Sequence, residues 1–397
     1  MKLVFLTLAP LSSNAGHLAR LSFELRDLSK INEVSIICLG KDLDNEETKN
    51  IYRNVSFIHL PVKFNGWEIV NLSESINTIK DVIDEIHPNA VILMMEVWDL
   101  MRELNKDLKD GIKFVTVVHA MPFLAAPLEP SGDFESDILE YCQSKTEGYK
   151  KDYILKHYKE AYAVFDDVLI IANNKTVEFY LKTYFPNLKI SVLPLSLIVQ
   201  THPDIIVQES FTYDFIYMAR MESGKGIEYL LDILNRISLI LQRKIKVAIL
   251  GKTDDLLTKK ALEKLLEEDS TKTNFIEVTY FGWADKNMKK DILTKSSVFL
   301  YPSHYDNFPT VLNEALSFGL PVVTWDVLFY RLNYKTALAV KPVPLFDFQA
   351  FAEKAVEITL DRKQLSKEAI DFVNSFKSPE EIAQLDTDVF EEIIDKE

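Results

Sequence analysis

The apolar positions of this chain alternate between two patterns. Continuous apolar runs at 2–8, 33–39, 55–60, 90–95 and 113–118 predict buried β-strands. The segments between carry helical spacing, as with Leu18, Leu21, Leu25 and Leu28. Strands at 167–171 and 189–193 enclose a helix at 175–184, and the pattern is then lost from 194 to 210. It returns with a strand at 213–218 and a helix at 227–241, then strands at 246–250 and 275–282 and a helix at 286–295. A strand at 297–301, a helix after Pro309, the strand LPVVT, a short strand at 337–340 and helices at 346–360 and 379–395 follow. Strand and helix in strict alternation predict two α/β units built on parallel sheets.

One stretch, Tyr301 to Thr324, carries the most chemistry: YPSHYDNFPTVLNEALSFGLPVVT. A buried strand ends at Pro302 and Ser303, and a polar loop holding Asp306 and Asn307 follows. Val311, Leu312, Ala315, Leu316 and Phe318 then keep helical spacing until Gly319 and Pro321 stop the helix. Such a loop lies at the carboxyl edge of a parallel sheet, where open α/β folds bind ligands. Asp306 and Glu314 are eight residues apart. A helix advances only about 1.5 Å per residue, so both side chains can border one pocket. The plain alternatives are a helix cap for Asp306 and a solvated surface charge for Glu314. Glu314, however, sits among Leu312, Ala315 and Leu316 on an otherwise apolar helix.

A second site lies in ARMESGKGIEYL, where the strand at 213–218 meets the helix at 227–241. Arg220 and Lys225 flank a Glu-Ser-Gly turn, with Gly224 and Gly226 beside them. Free N–H groups and the helix dipole favour an anion there. Arginine forks two oxygens and lysine adds a mobile point charge, which together suit a diphosphate. Either cation alone reads as a surface charge. His119 closes the strand VTVVHAMPF at its carboxyl end, as a ligand-facing residue or as a histidine satisfied by backbone. Gly16 and His17, after Ser12, Ser13 and Asn14, read either as a simple turn or as a ligand loop.

Taken together, Arg220-x-x-x-x-Lys225-Gly226 and Asp306-x₇-Glu314, with Ala-x-x-x-Gly-x-Pro-Val-Val after it, resemble the donor-site signature of retaining glycosyltransferases of family 4. The resemblance implies the GT-B fold: two Rossmann-like domains facing each other across a cleft, with a C-terminal helix crossing back to the first. Residues 1–196 would form the acceptor-side domain, 197–210 a linker, 211–376 the nucleotide-sugar donor domain and 377–397 the returning helix. The implied activity moves a sugar, with retention, from a nucleotide-diphosphate sugar to an acceptor hydroxyl on a glycan, a lipid-linked glycan or a protein glycan. Arg220 and Lys225 would hold the diphosphate, Glu314 the ribose hydroxyls and Asp306 the transferred sugar. Asn307, Phe308 and Thr310 would complete the donor loop. His119 would contact the sugar or the acceptor side, with Gly16 and His17 on the acceptor side. The resemblance implies no metal ion or other cofactor.

The chain departs from the family at three places. Asp306 stands where the family usually has Glu, Asn307-Phe308-Pro309 replaces the common Gly-Phe-Gly, and Gly16 replaces a glycine pair. Pro309 also removes one backbone donor. These departures suit a competing reading, a non-catalytic GT-B-shaped subunit that scaffolds a partner transferase. Arg220, Lys225 and Glu314 suit a working donor site.

Charge narrows the partners further. A formal net charge of −15, from 60 acidic and 45 basic residues, argues against nucleic acid, whose binding rests on phosphate neutralisation. The segment from Ala125 to Tyr162 holds Lys145, Lys150, Lys151, Lys156 and Lys159 among acidic residues. It reads as a solvated face and, by the resemblance, as a surface toward the acceptor or a membrane. Cys38 and Cys142 have no metal or redox spacing around them and read as reduced thiols. MKLVFLTLAPLSSNA has the outline of a short signal peptide, but a first strand and its loop account for it. No apolar run approaches the roughly 18 to 20 residues that span a bilayer. The expected location is cytoplasmic, with peripheral membrane contact left open.

Overall fold

A computed structural model describes residues 1–11, 16–40, 46–65, 68–94, 98–108, 111–119, 130–134, 136–137, 168–194, 210–253, 255–270, 275–304, 306 and 309–395. They form two compact units. One takes in Met1–Phe123, Pro130–Ile198 and Lys377–Glu397, and the other Val199–Phe376.

The first unit runs β1 (Lys2–Thr7), α1 (Gly16–Ile31), β2 (Glu33–Cys38), α2 (Glu46–Ile51), β3 (Val55–His59), a short hairpin of β4 (Phe64–Asn65) and β5 (Glu68–Ile69), and α3 (Leu72–Ile86). It continues with β6 (Ala90–Leu93), α4 (Trp98–Asp107), β7 (Lys113–Val118), β8 (Leu169–Ala172), α5 (Lys175–Tyr184) and β9 (Ile190–Val192). Seven strands make one sheet in the order β3-β2-β1-β6-β7-β8-β9. All of its pairings are parallel. Leu3, Val4 and Leu6 of β1 are fully buried, because helices cover both faces of such a sheet.

The second unit runs β10 (Tyr213–Met218), α6 (Ile227–Leu241), β11 (Ile245–Leu250), α7 (Leu256–Ser270), β12 (Ile276–Gly282), α8 (Lys286–Thr294) and β13 (Ser296–Tyr301). Then come α9 (Thr310–Ser317), β14 (Val322–Trp325), α10 (Leu328–Asn333), β15 (Val340–Val343), α11 (Phe348–Leu360) and α12 (Arg362–Asn374). Its six parallel strands are ordered β12-β11-β10-β13-β14-β15. The strand order reverses at β10, which lies between β11 and β13. The crevice at the carboxyl ends of β10 and β13 is therefore the switch point where such sheets bind ligands.

The last helix, α13 (Pro379–Asp395), belongs to the first unit. Its Ala383, Phe390 and Ile393 enter the core formed by Phe5, Leu18, Leu21 and Leu25. Its polar contacts are equally specific. Arg20 of α1 forks onto both oxygens of Asp386 at 2.7 and 3.0 Å and donates to the Pro194 carbonyl at 2.5 Å. Asn32 donates to the Thr387 hydroxyl at 2.8 Å.

Two expectations need correction. The short strand expected at 337–340 is a turn, and β15 begins at Val340. Val340 and Val343 are buried while Pro342 is exposed, which an edge strand tolerates. The helix expected from 346 starts at Phe348, because Asp347 caps it by accepting from the Ala350 N–H at 2.9 Å. The expected linker and the segment from Ala125 to Tyr162 lie almost wholly outside the described residues, as does Cys142. Cys38 is buried and is not part of a disulfide. Among the described residues, no helix is long and apolar enough to cross a membrane.

Candidate functional site

The segment between β10 and α6 folds into a tight turn because its glycines allow it. Gly224 and Gly226 both have φ of 93°, a left-handed conformation that side chains resist. A Cβ on Gly226 would lie 2.2 Å from the carbonyl oxygen of Pro302, so the turn presses directly against the segment leaving β13. Hydrogen bonds join the two segments. The His304 N–H donates to the Gly224 carbonyl at 3.0 Å, and Ser303 Oγ donates to the same oxygen at 3.3 Å. Behind them, the Tyr217 hydroxyl donates to the Lys225 carbonyl at 3.2 Å, and the Trp325 indole to the Pro302 carbonyl at 2.9 Å. The basic turn and the acidic loop, which the resemblance assigns to one donor site, are one structure.

Gly226 is the N-cap of α6 and has no side chain to occupy the helix's first N–H groups. An anion can take them. Lys225 precedes it, with its side chain only 14% exposed, and its ammonium lies 3.2 Å from Asp306 Oδ2. Asp306 is buried and also accepts from the Tyr301 hydroxyl and, at 3.4 Å, from Ser303 Oγ. Tyr217, Tyr301, Tyr330 and Tyr334 crowd this carboxylate. Burial first, and negative charge second, holds all four phenols well above their usual range; the second cause is Asp306 for Tyr301, Tyr330 and Tyr334 and Glu228 for Tyr217.

Arg220 has a carboxylate partner of its own. It is mostly exposed and forks onto Glu222 at 2.9 and 2.8 Å. Both cations expected to hold a diphosphate thus carry a carboxylate partner from their own unit.

Pro309 is the N-cap residue of α9, and Thr310 is its first helical residue. Leu312, Asn313, Ala315 and Leu316 are buried, while Glu314 keeps part of its side chain at the surface. Its Oε1 receives the Lys289 ammonium of α8 at 2.5 Å. Gly319, with φ of 68°, ends the helix as expected.

Lys289, Tyr301 and Ser303 were not visible as site residues. Tyr301 reads as the end of a core strand and Ser303 as its cap. Lys289 is one of several lysines in KNMKK with no motif around it. His119 lies in the first unit, buried at the carboxyl end of β7. Gly16 and His17 form the first turn of α1, though their side chains lie outside the description. Asn307 and Phe308 lie outside the described residues.

Residues 203–370 match the family described as Glycosyl transferases group 1. Over 135 residues the chain is 30% identical to the lipopolysaccharide 1,6-galactosyltransferase of Escherichia coli, covering 32% of this chain and 34% of that protein. Over 143 residues it is 27% identical to the phosphatidylinositol N-acetylglucosaminyltransferase gpi3 subunit of Schizosaccharomyces pombe, covering 35% and 29% respectively. The matched region thus spans about a third of each curated relative. Among solved structures, sucrose-phosphate synthase from Thermosynechococcus elongatus superposes with a TM-score of 0.70 over 99% of both chains, at 14% identity. The fold is GT-B.

Proposed function

From the premise that residues 203–370 are a Glycosyl transferases group 1 domain, we propose that the chain is a retaining glycosyltransferase that uses a nucleotide-diphosphate sugar. One observation carries this reading. The uncapped N-terminus of α6 and Lys225 are hydrogen-bonded into the same structure as Asp306, at the switch point of the sheet. Cations for a diphosphate and a carboxylate for a sugar thus meet at one place.

In the proposed reaction, the acceptor oxygen bonds to the anomeric carbon as that carbon's bond to the diphosphate oxygen breaks. The acceptor proton passes to the leaving phosphate on the same face, and the configuration is retained. Negative charge grows on the diphosphate, where the α6 N–H groups, Lys225 and Arg220 stabilise it. No metal ion is part of this scheme. Lys289 holds one oxygen of Glu314, and the other accepts the ribose hydroxyls. Asp306 receives the sugar hydroxyls, with Asn307, Phe308 and Thr310 completing the donor loop. By resemblance, His119 serves the sugar or the acceptor, with Gly16 and His17 on the acceptor side. The two curated relatives are named for phosphatidylinositol and lipopolysaccharide, which supports a lipid-linked glycan here over a free or protein-borne one and, with it, contact with a membrane surface.

Thermal stabilisation by a panel of nucleotide-diphosphate sugars tests the reading, with Lys225→Ala and Glu314→Ala alongside. A ligand specific to the native state adds about 2.7 kcal/mol at a hundredfold excess over Kd. The expected result is that one donor shifts the wild type and neither variant. If no donor and no free nucleoside diphosphate shifts the wild type, the non-catalytic scaffold replaces this reading.

A further inference from the structure

Lys225 has two anions to serve. In the structure it neutralises Asp306, and in the proposed reaction it must also face a diphosphate. Asp306 is buried, so withdrawing its only cation among the described residues would leave an uncompensated buried charge. The site contains a remedy. Among the described residues three groups lie within reach of Asp306, all at Oδ2: Lys225 Nζ, Tyr301 OH and Ser303 Oγ, whose single proton is shared with the Gly224 carbonyl and which therefore leaves Tyr301 as the firm hydroxyl donor. Hydroxyls bonded to an ionised oxygen make the stronger class of hydrogen bond. They remain in place when the ammonium moves. Tyr301 is suited to this because it cannot wander. Its ring is 2% exposed and stacks on Phe299 with centroids 5.6 Å apart.

We propose that Tyr301 is a positioning residue that holds the Asp306 carboxylate so that Lys225 can turn to the diphosphate. The inference rests on the donor-site reading above and deepens it. Tyr301 touches no substrate in this scheme. It sets how tightly Asp306 retains the lysine, and through that how tightly the site binds a diphosphate.

The consequence is a coupling that a merely structural tyrosine would not produce. In Tyr301→Phe the ring stack is kept and the phenol is lost, so Asp306 leans harder on Lys225. Binding of a nucleoside diphosphate, which has no sugar to contact Asp306, should weaken about three- to tenfold, a fraction of what a hydrogen bond to a charged group contributes, because that bond is lost from the free and the bound state alike. In an Asp306→Asn background no charge retains the lysine, and Tyr301→Phe should then change binding less than twofold. Ser303→Ala, which removes the longer contact to Asp306 together with the bond to the Gly224 carbonyl, should act in the same direction and by less; it serves if Tyr301→Phe does not fold, and only the part of its effect that disappears with Asp306→Asn counts.

The experiment is isothermal titration of wild type, Tyr301→Phe, Ser303→Ala, Asp306→Asn and Tyr301→Phe/Asp306→Asn. The probe is whichever of uridine, guanosine, adenosine or thymidine diphosphate binds the wild type. Weakening by Tyr301→Phe that disappears with Asp306→Asn supports the proposal. Wild-type affinity in Tyr301→Phe overturns it, as does equal weakening in the Asp306→Asn background. If none of the four diphosphates binds the wild type, the donor-site reading itself falls and takes this inference with it.

Discussion

Gly226→Ala is the sharpest test of the joint between the basic turn and the acidic loop. The added Cβ would lie 2.2 Å from the Pro302 carbonyl oxygen and 2.5 Å from its carbon. These are backbone atoms, which cannot swing aside as the end of a flexible side chain can. Relief to ordinary contact requires the two segments to part by more than about 1 Å, since carbon atoms pack at roughly 3.5–4.0 Å. The backbone adds its own cost. A φ of 93° is open to glycine and strains alanine by about 1–2 kcal/mol. Strain and clash together should destabilise the second unit by roughly 2–4 kcal/mol, within the range of severe single substitutions. For a domain of this size that is a fall of about 4–15 °C in Tm. Transfer should suffer more than folding does. Parting the segments moves Lys225 and the α6 N-terminus away from Asp306, and a 1 Å misplacement can cost about a hundredfold in rate. The assay is a melting curve with a transfer assay on the donor that stabilises the wild type. A variant with wild-type Tm and wild-type turnover would refute the reasoning, because it would mean that the segments do not press together at Gly226.

Two further outcomes follow from buried charge and buried phenols. Arg20→Met takes away the guanidinium that the buried carboxylates of Asp386 and Glu24 share and should cost about 3–5 kcal/mol, read by chemical denaturation; Arg20→Met/Glu24→Gln/Asp386→Leu should recover most of it. The four phenols around Asp306 are held above their usual range, so their contribution is whole below the unfolded pKa, near 10. As pH rises past that value the unfolded chain ionises first, and stability should fall by up to about 1.4 kcal/mol per tyrosine per pH unit. The difference in phenolate absorbance between the wild type and each single Tyr→Phe variant, which separates these four from the other tyrosines among the chain's 16, checks it by appearing only with unfolding; a difference appearing in the folded protein near pH 10 contradicts it.

What was legible in the sequence is what repeats locally. Strand β7, helix α5, β10, α6 and α13 fall where their apolar spacing puts them, because each buries a face whose period is set by its own residues. The failures share a cause. Helix α12 was not expected, since its buried face includes Arg362, Ser366 and Ala369, polar or small residues that break the apolar stripe. Arg362 is held there by donating to the Ser297 carbonyl at 2.8 Å and packing over the Phe211 ring, contacts no local pattern announces. The site divides in the same way. The two motifs were readable one at a time, from turn glycines and from charges at loop positions. The resemblance joined them in one donor site, but their side-chain partners were not readable, since Lys225 meets Asp306 and Lys289 meets Glu314 only through the strand order of the sheet. Arg220 shows the reverse case: a motif named it, and the fold gives it Glu222 as its partner.

The return of α13 to the first unit sets an order of assembly. Ala383, Phe390 and Ile393 are wall residues of that core, yet they are synthesised after every residue of the second unit. As the chain leaves the ribosome, the face formed by Phe5, Leu18 and Leu25 stays uncovered while the second unit completes its own sheet. Domains made first usually fold first. Here the unit begun first is finished last, and its open apolar face is what a holding chaperone would meet during that interval.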